Sequence, residues 1–179
     1  GSLYIGGSSK FNVINSTFLE SFSHEAGAVY LSSTSTGNFV NCIFDSCTAS
    51  SVGGGLVLSG TTNTTFNNCT ITNCAAMSGG GLVIQEHANV TFYSSIATQN
   101  SATASGGGVV LSDYANLHSN NSMISDNIAA SAGGGIYIAN FATFYGYNSA
   151  VRNNISPSQG GGIFLKDSAT MDMVNSTVT

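Results

Sequence analysis

The sequence predicts an all-β chain wound as a right-handed parallel β-helix of about seven coils, each 26 or 27 residues long with three short strands. Three observations predict it. A glycine triplet followed by three apolar residues returns at a fixed period, an asparagine returns at a second phase, and the apolar residues are β-branched or aromatic at a spacing of two.

The first strand follows the glycines. Gly53-Gly54-Gly55-Leu56-Val57-Leu58 recurs as Gly79 to Ile84, Gly106 to Leu111, Gly133 to Ile138 and Gly160 to Leu165, with Ala26 to Leu31 and Gly1 to Ile5 at the same phase. A helical repeat is excluded, because each glycine inside a helix costs about 1 kcal/mol. In a parallel solenoid, coils lie ~4.8 Å apart and each residue sits over its counterpart one period earlier. Leu3, Val29, Leu56, Leu82, Val109, Ile136 and Ile163 then form one interior ladder, and Ile5, Leu31, Leu58, Ile84, Leu111, Ile138 and Leu165 a second. The residues between them, Tyr4, Tyr30, Val57, Val83, Val110, Tyr137 and Phe164, are expected to point outward as an apolar stripe. Such a stripe marks a contact surface.

The corner after the second strand carries Asn15, Asn41, Asn68, Asn121, Asn148 and Asn175, interrupted by Ser94, and the next residue is always Ser or Cys. Asparagine tolerates left-handed backbone and its amide can bond the amide one coil away, so this column is expected to bend the coil as a ladder. A third apolar column, Phe18, Phe44, Ile71, Ala97, Ile124, Val151 and Val178, is followed three residues later by Ser21, Cys47, Cys74, Asn100, Asn127 and Asn154.

These repeats resemble the passenger domains of the chlamydial polymorphic outer membrane proteins and, more loosely, other surface proteins with right-handed β-helix repeats. That family carries GGA before an aliphatic residue and a separate FxxN. Here GGG stands in five units and Gly27-Ala28-Val29 in a sixth, while Phe18 and Phe44 are followed at +3 by Ser21 and Cys47, so no unit has the full FxxN. The resemblance implies adhesion or surface architecture outside a cell, and no catalysis.

Charge narrows the partners. Charged residues are 6% of the chain, against ~25% in ordinary globular proteins. With net charge −5 and three scattered cations there is no basic patch for nucleic acid or anionic lipid. No apolar run approaches the ~20 residues of a membrane-spanning helix. Residues 1–179 read as one β-helix domain without capping units of its own. The expectation is therefore a fragment or repeat unit of a longer protein, or subunits whose ends complete one another in a fibre.

Cys42 and Cys69 share one column in adjacent coils, and Cys47 and Cys74 another. Stacking places each pair at a separation compatible with a disulfide, and of the three possible connectivities 42–69 with 47–74 is favoured; small buried thiols are the alternative. Of seven Asn-x-Ser/Thr sequons, at Asn15, Asn63, Asn68, Asn89, Asn120, Asn154 and Asn175, those at Asn15, Asn68 and Asn175 belong to the corner ladder, where a glycan does not fit. Asn63 and Asn89, on the outward side of the second strand, are the sites expected to carry sugar if the source is a eukaryote.

Glu86 and Asp113 share a column after the first strand, continued by Asn140 and Asp167. Two stacked carboxylates could hold Ca²⁺ or act as acid and nucleophile on a glycoside, so a polysaccharide-active lyase or hydrolase is the alternative function. The competing reading is a solvated turn, and no Lys or Arg stands nearby to serve as a lyase base. His24, His87 and His118 lie at different phases and suggest no metal site. The expected function is thus an extracellular or cell-surface structural module, adhesive or filament-forming. No cofactor is expected, and its partners are other copies of itself, laterally or end to end, or cell-surface glycans and matrix.

Overall fold

A strand of three residues is too short to persist alone, and stacking supplies its neighbours. The computed structural model describes all 179 residues. The first sheet runs from Leu3–Ile5 through Leu56–Leu58 and Leu82–Ile84 to Ile163–Leu165. The second runs from Lys10–Ile14 through Asn89–Tyr93 to Thr170–Val174, and the third from Thr17–Leu19 to Thr177–Val178. Each has seven strands, one per coil, all paired in parallel. Leu82 pairs with Leu56 on one side and Val109 on the other, so like residues do stack. Coils are numbered 1 to 7 from these first-sheet strands.

Three strands per coil is one too few for most of the solenoid. Phe22–Glu25, Thr48–Val52, Ala75–Ala76, Ser101–Ala102 and Ile128–Ala129 form a fourth, five-stranded sheet in coils 1 to 5. Its strands are short and rich in Ala and Ser, too small to carry an alternation of apolar and polar residues.

Turns are made by left-handed residues, and every positive-φ residue falls in one of four columns. One is the expected corner, Asn15 through Asn175, in which Ser94 takes the same conformation at φ 48°. The second is Glu20, Ser46, Asn73, Gln99, Asp126 and Asn153; the third is Gly7, Ser33, Gly60, Glu86, Asp113, Asn140 and Asp167. The fourth is Ala26 and the first glycine of each triplet, from Gly53 to Gly160. Asn, Asp and Gly predominate because they alone visit this region cheaply.

The core lies inside the coil. On the inner face of the second sheet two neighbouring columns share a fixed volume: Phe39 accompanies Gly37, Phe66 accompanies Thr64, and Phe92 accompanies Val90. From coil 5 the large residue changes column, with Leu117 beside Ser119 and Phe144 beside Gly146. This keeps the interior filled while individual residues vary. The Phe39 and Phe66 rings stack 5.0 Å apart, and Phe66 meets Phe92 edge-on at 5.3 Å.

Buried hydroxyls without partners mark the least satisfied part of this core: Ser35, Thr62 and Thr64. Thr64→Val keeps the shape and removes an uncompensated polar atom. It is expected to raise stability by about 1 kcal/mol, read from the denaturant midpoint. A loss of stability would show that the hydroxyl is bonded in solution.

The apolar stripe requires correction. Val57, Val83 and Val110 do lie between the interior ladders, but they are 0%, 3% and 9% exposed. They form a second cluster with Ala26, packed against Tyr30, Val52 and Tyr137. The cover comes from the glycine corner itself, which folds back over the strand: a methyl added at Gly53, Gly79 or Gly106 would fall 2.3–2.4 Å from Cγ2 of Val57, Val83 or Val110. Tyr30, Tyr137 and Phe164 are half-buried, and only Tyr4 of the seven is well exposed. The first sheet is thus buried on both faces over its middle coils.

Candidate contact face

Polar side chains at the inner corners hold the coils in register, and they are not those of the outer asparagine column. That outer column bonds only at the start, Asn41 Nδ2 donating to Asn15 Oδ1 at 3.0 Å and Asn68 Nδ2 to Asn41 Oδ1 at 2.9 Å. The buried ladder is Asn100, Asn127 and Asn154. The Asn127 carbonyl oxygen accepts the Asn100 backbone N–H at 2.9 Å and its side-chain Nδ2–H at 3.0 Å. Asn127 Nδ2 in turn donates to Ala97 O and to Asn154 Oδ1. A parallel ladder of Ser95, Ser122, Ser149 and Ser176 accepts each preceding coil's backbone N–H at 3.0–3.2 Å.

The cysteines continue these two ladders, which explains their columns. Cys42 N–H points at Cys69 Sγ at 3.5 Å, Cys69 N–H donates to Ser95 Oγ at 3.1 Å, and Cys74 N–H donates to Asn100 Oδ1 at 3.0 Å. Each thiol reaches a carbonyl two residues back, at 3.3 Å for Cys42 and Cys47, 3.4 Å for Cys69 and 3.2 Å for Cys74. The expected Cys42–Cys69 and Cys47–Cys74 bridges are not formed, and all four are buried free thiols. Burial pushes the Cys69 thiol up to about 11, while its hydrogen bond with Cys47, together with burial, raises Cys74. Both stay protonated near neutrality, keeping the S–H as a donor. In the native protein a maleimide is expected to leave the cysteines unlabelled and to label four after denaturation. An intact mass lighter by two hydrogens per bridge would restore the disulfides.

The carboxylate column is also structural. Glu86 Oε2 accepts the Gly60 N–H at 2.7 Å, and Asp113 Oδ2 accepts the Glu86 N–H at 3.1 Å and the Ser112 hydroxyl at 3.2 Å. Asn140 Nδ2 donates to Asp113 Oδ1 at 3.1 Å. Glu86 and Asp113 thus each cap the left-handed turn of the coil before them. No three His, Cys, Asp or Glu residues converge on a point that could hold a metal. His24 lies apart, its Nδ1 2.9 Å from Ser50 Oγ.

One surface differs from the rest. Immediately after the carboxylate column, His87, Tyr114 and Phe141 stack along the axis with ring centroids 5.0 and 5.1 Å apart and planes within 7°. On the outward side of the second sheet, His118 stacks on Tyr145 at 4.5 Å and 6°. Face contact needs only about 3.5 Å, so rings at these spacings are offset and each leaves part of its face free. Tyr114 is 52% exposed, Phe141 56% and Tyr145 38%, with Tyr93 and Tyr147 exposed beside them. Between the two stacks Asn116 Nδ2 donates to Asn89 Oδ1 at 3.0 Å. Burial lowers the His118 pKa, so the ring is uncharged at neutral pH. The result is a flat face of rings and amides over coils 4 to 6. Its signal was present in the sequence as aromatic residues at one phase.

Two shallow recesses add little. One of about 290 Å³ is lined by Leu3, Tyr4, His24, Glu25 and Tyr30 among others, and one of about 240 Å³ lies outside the fourth sheet around Ala76 and Met77.

A family model described as a right-handed β-helix region matches residues 1–179. The chain belongs to this β-helix family. Neither the curated proteins nor the solved structures contain a match to it. Membership covers the β-helix as a whole and does not single out the chlamydial surface proteins. Among the sequons of this β-helix, Asn63 and Asn89 are exposed and paired in register, with Asn89 already bonded to Asn116 and to the His87 carbonyl. Asn154 is buried with its amide bonded on both sides.

Proposed function

We propose that the chain is a non-catalytic contact module of an extracellular or cell-surface protein, adhesive or self-assembling, as the resemblance of its repeats to surface-protein passengers implies. The observation that carries this reading is the exposed ring-and-amide face of coils 4 to 6, where Tyr93, Tyr145 and Tyr147 stand in solvent on the second sheet and Tyr114 and Phe141 on the turns that lead into it. Exposed aromatic clusters on a rigid scaffold favour binding, because little side-chain entropy is lost on contact. Glu86 Oε2 and Asp113 Oδ2 each cap a turn through a backbone N–H, which supports a structural role for that column over the polysaccharide-active alternative.

Beads coated with the chain are expected to adhere to cells or to one another, and Tyr114→Ala with Tyr147→Ala to reduce adhesion about tenfold, the scale of losing a hot spot. Glu86→Ala with Asp113→Ala should retain adhesion. Release of reducing ends from a polysaccharide, lost in that second pair, would establish the enzyme instead.

A further inference from the structure

We infer that the coil 6 to coil 7 end of this face recognises guanidinium or ammonium groups on a basic segment of a partner protein. The inference rests on the reading of the face as a contact surface and adds the chemistry of what it contacts.

Tyr145 is stacked on one side only. His118 covers that side, and the next residue in the column, paired in register with Tyr145, is Asp172. Phe141 ends the neighbouring stack in the same direction, because the residue one coil on is Ser168. Both ring stacks therefore stop at coil 7, each with a ring facing a short side chain. Asp167 precedes Ser168 in the left-handed turn, and Asp167 and Asp172 are exposed.

These two carboxylates differ from Glu86 and Asp113. Glu86 and Asp113 accept backbone N–H groups of the coil before them. Asp167 and Asp172 receive no hydrogen bond from the chain, although Asp167 continues the same column. Asp172 instead stands beside the face of Tyr145. A ring face is the negative pole of an aromatic quadrupole, so a carboxylate next to it is unfavourable until a cation joins them. A guanidinium suits the position best: it lies flat on the ring while its N–H groups pair with the carboxylate. Tyr147, two residues on and also exposed, and Phe141 widen the aromatic floor. The net charge of −5 with only three Lys or Arg makes the chain attract basic partners over a distance and leaves few of its own cations to compete.

The test is fluorescence anisotropy of a labelled octa-arginine peptide with the whole chain at physiological salt. Tyr145→Leu and Asp172→Asn are each expected to weaken binding about fivefold, the scale of a surface cation–π contact. Glu20→Gln, which removes an exposed carboxylate in coil 1, should leave binding unchanged, and all three variants should melt with the wild type. Equal weakening by Glu20→Gln would reduce the effect to diffuse attraction and overturn the inference. So would failure of the wild type to bind, or displacement of the peptide by dextran, an uncharged glycan. If beads still adhere through Tyr114 and Tyr147 while octa-arginine does not bind, the contact reading stands and this inference falls.

Discussion

Gly107→Ala is expected to destabilise the middle coils by about 3 kcal/mol, although it adds a single methyl group. The new Cβ would fall 2.4 Å from Gly134 O and 2.5 Å from Ile128 O. Both obstacles are backbone, so no rotamer change can relieve them, and the coils must separate or buckle. Gly7→Ala is the control. Its backbone, unlike that of Gly107, is left-handed, at φ 66°, but nothing lies within 4 Å of the added methyl. That variant should lose only the 1 to 2 kcal/mol of a left-handed non-glycine residue. Urea midpoints of the two variants measure the difference. Equal losses would mean that close stacking of the glycine corners contributes nothing.

Asn127→Ala is expected to cost about 3 kcal/mol or more. Its side chain accepts from the backbone and side chain of Asn100 and donates to Ala97 O, all out of reach of water. Removing it strands a backbone donor and a backbone acceptor, at about 1 to 3 kcal/mol each. Asn148→Ala, in the exposed outer column at φ 48°, gives up only conformational preference and should cost about 1 kcal/mol. Thermal unfolding of both variants distinguishes the inner ladder from the outer one. If Asn148→Ala proves the more damaging, the register is held at the outer corner.

The contrast between these asparagines shows what the sequence could convey. Period and register were legible, because a residue 26 or 27 positions away is a neighbour in space, and Leu56, Leu82 and Val109 are stacked for that reason. The left-handed corner was legible because asparagine is chosen for it. Which polar column faces inward was not, since Asn100 and Asn121 are equally polar and only the path of the chain buries one of them. The first strand misled for a related reason. Leu56-Val57-Leu58 is apolar at all three positions, which is the pattern of a strand covered on both faces, whereas the outward reading of Val57 assumed water on one side. Spacing brought the cysteines together but could not tell a bond from a thiol, because the corner uses sulfur as it uses the serine hydroxyl.

The candidate face was partly readable. His87, Tyr114 and Phe141 recur at one phase, directly after the carboxylate column, but spacing alone does not show that their rings stack and stay exposed. Glu86 and Asp113 stack as a pair, as their spacing implies, and each also accepts a backbone N–H of the coil before it, from Gly60 and Glu86, which spacing alone does not reveal.

The fourth sheet ends at coil 5, and between coils 5 and 6 that side has two single bridges, Ile128 to Ile155 and Ala132 to Gln159, with the hydrogen bonds around them in place of paired strands. Tension applied lengthwise would not be shared evenly around the circumference there. Coils 5 and 6 should part on that side before coils 1 to 5 part from one another, the wall yielding first where paired strands give way to bridges.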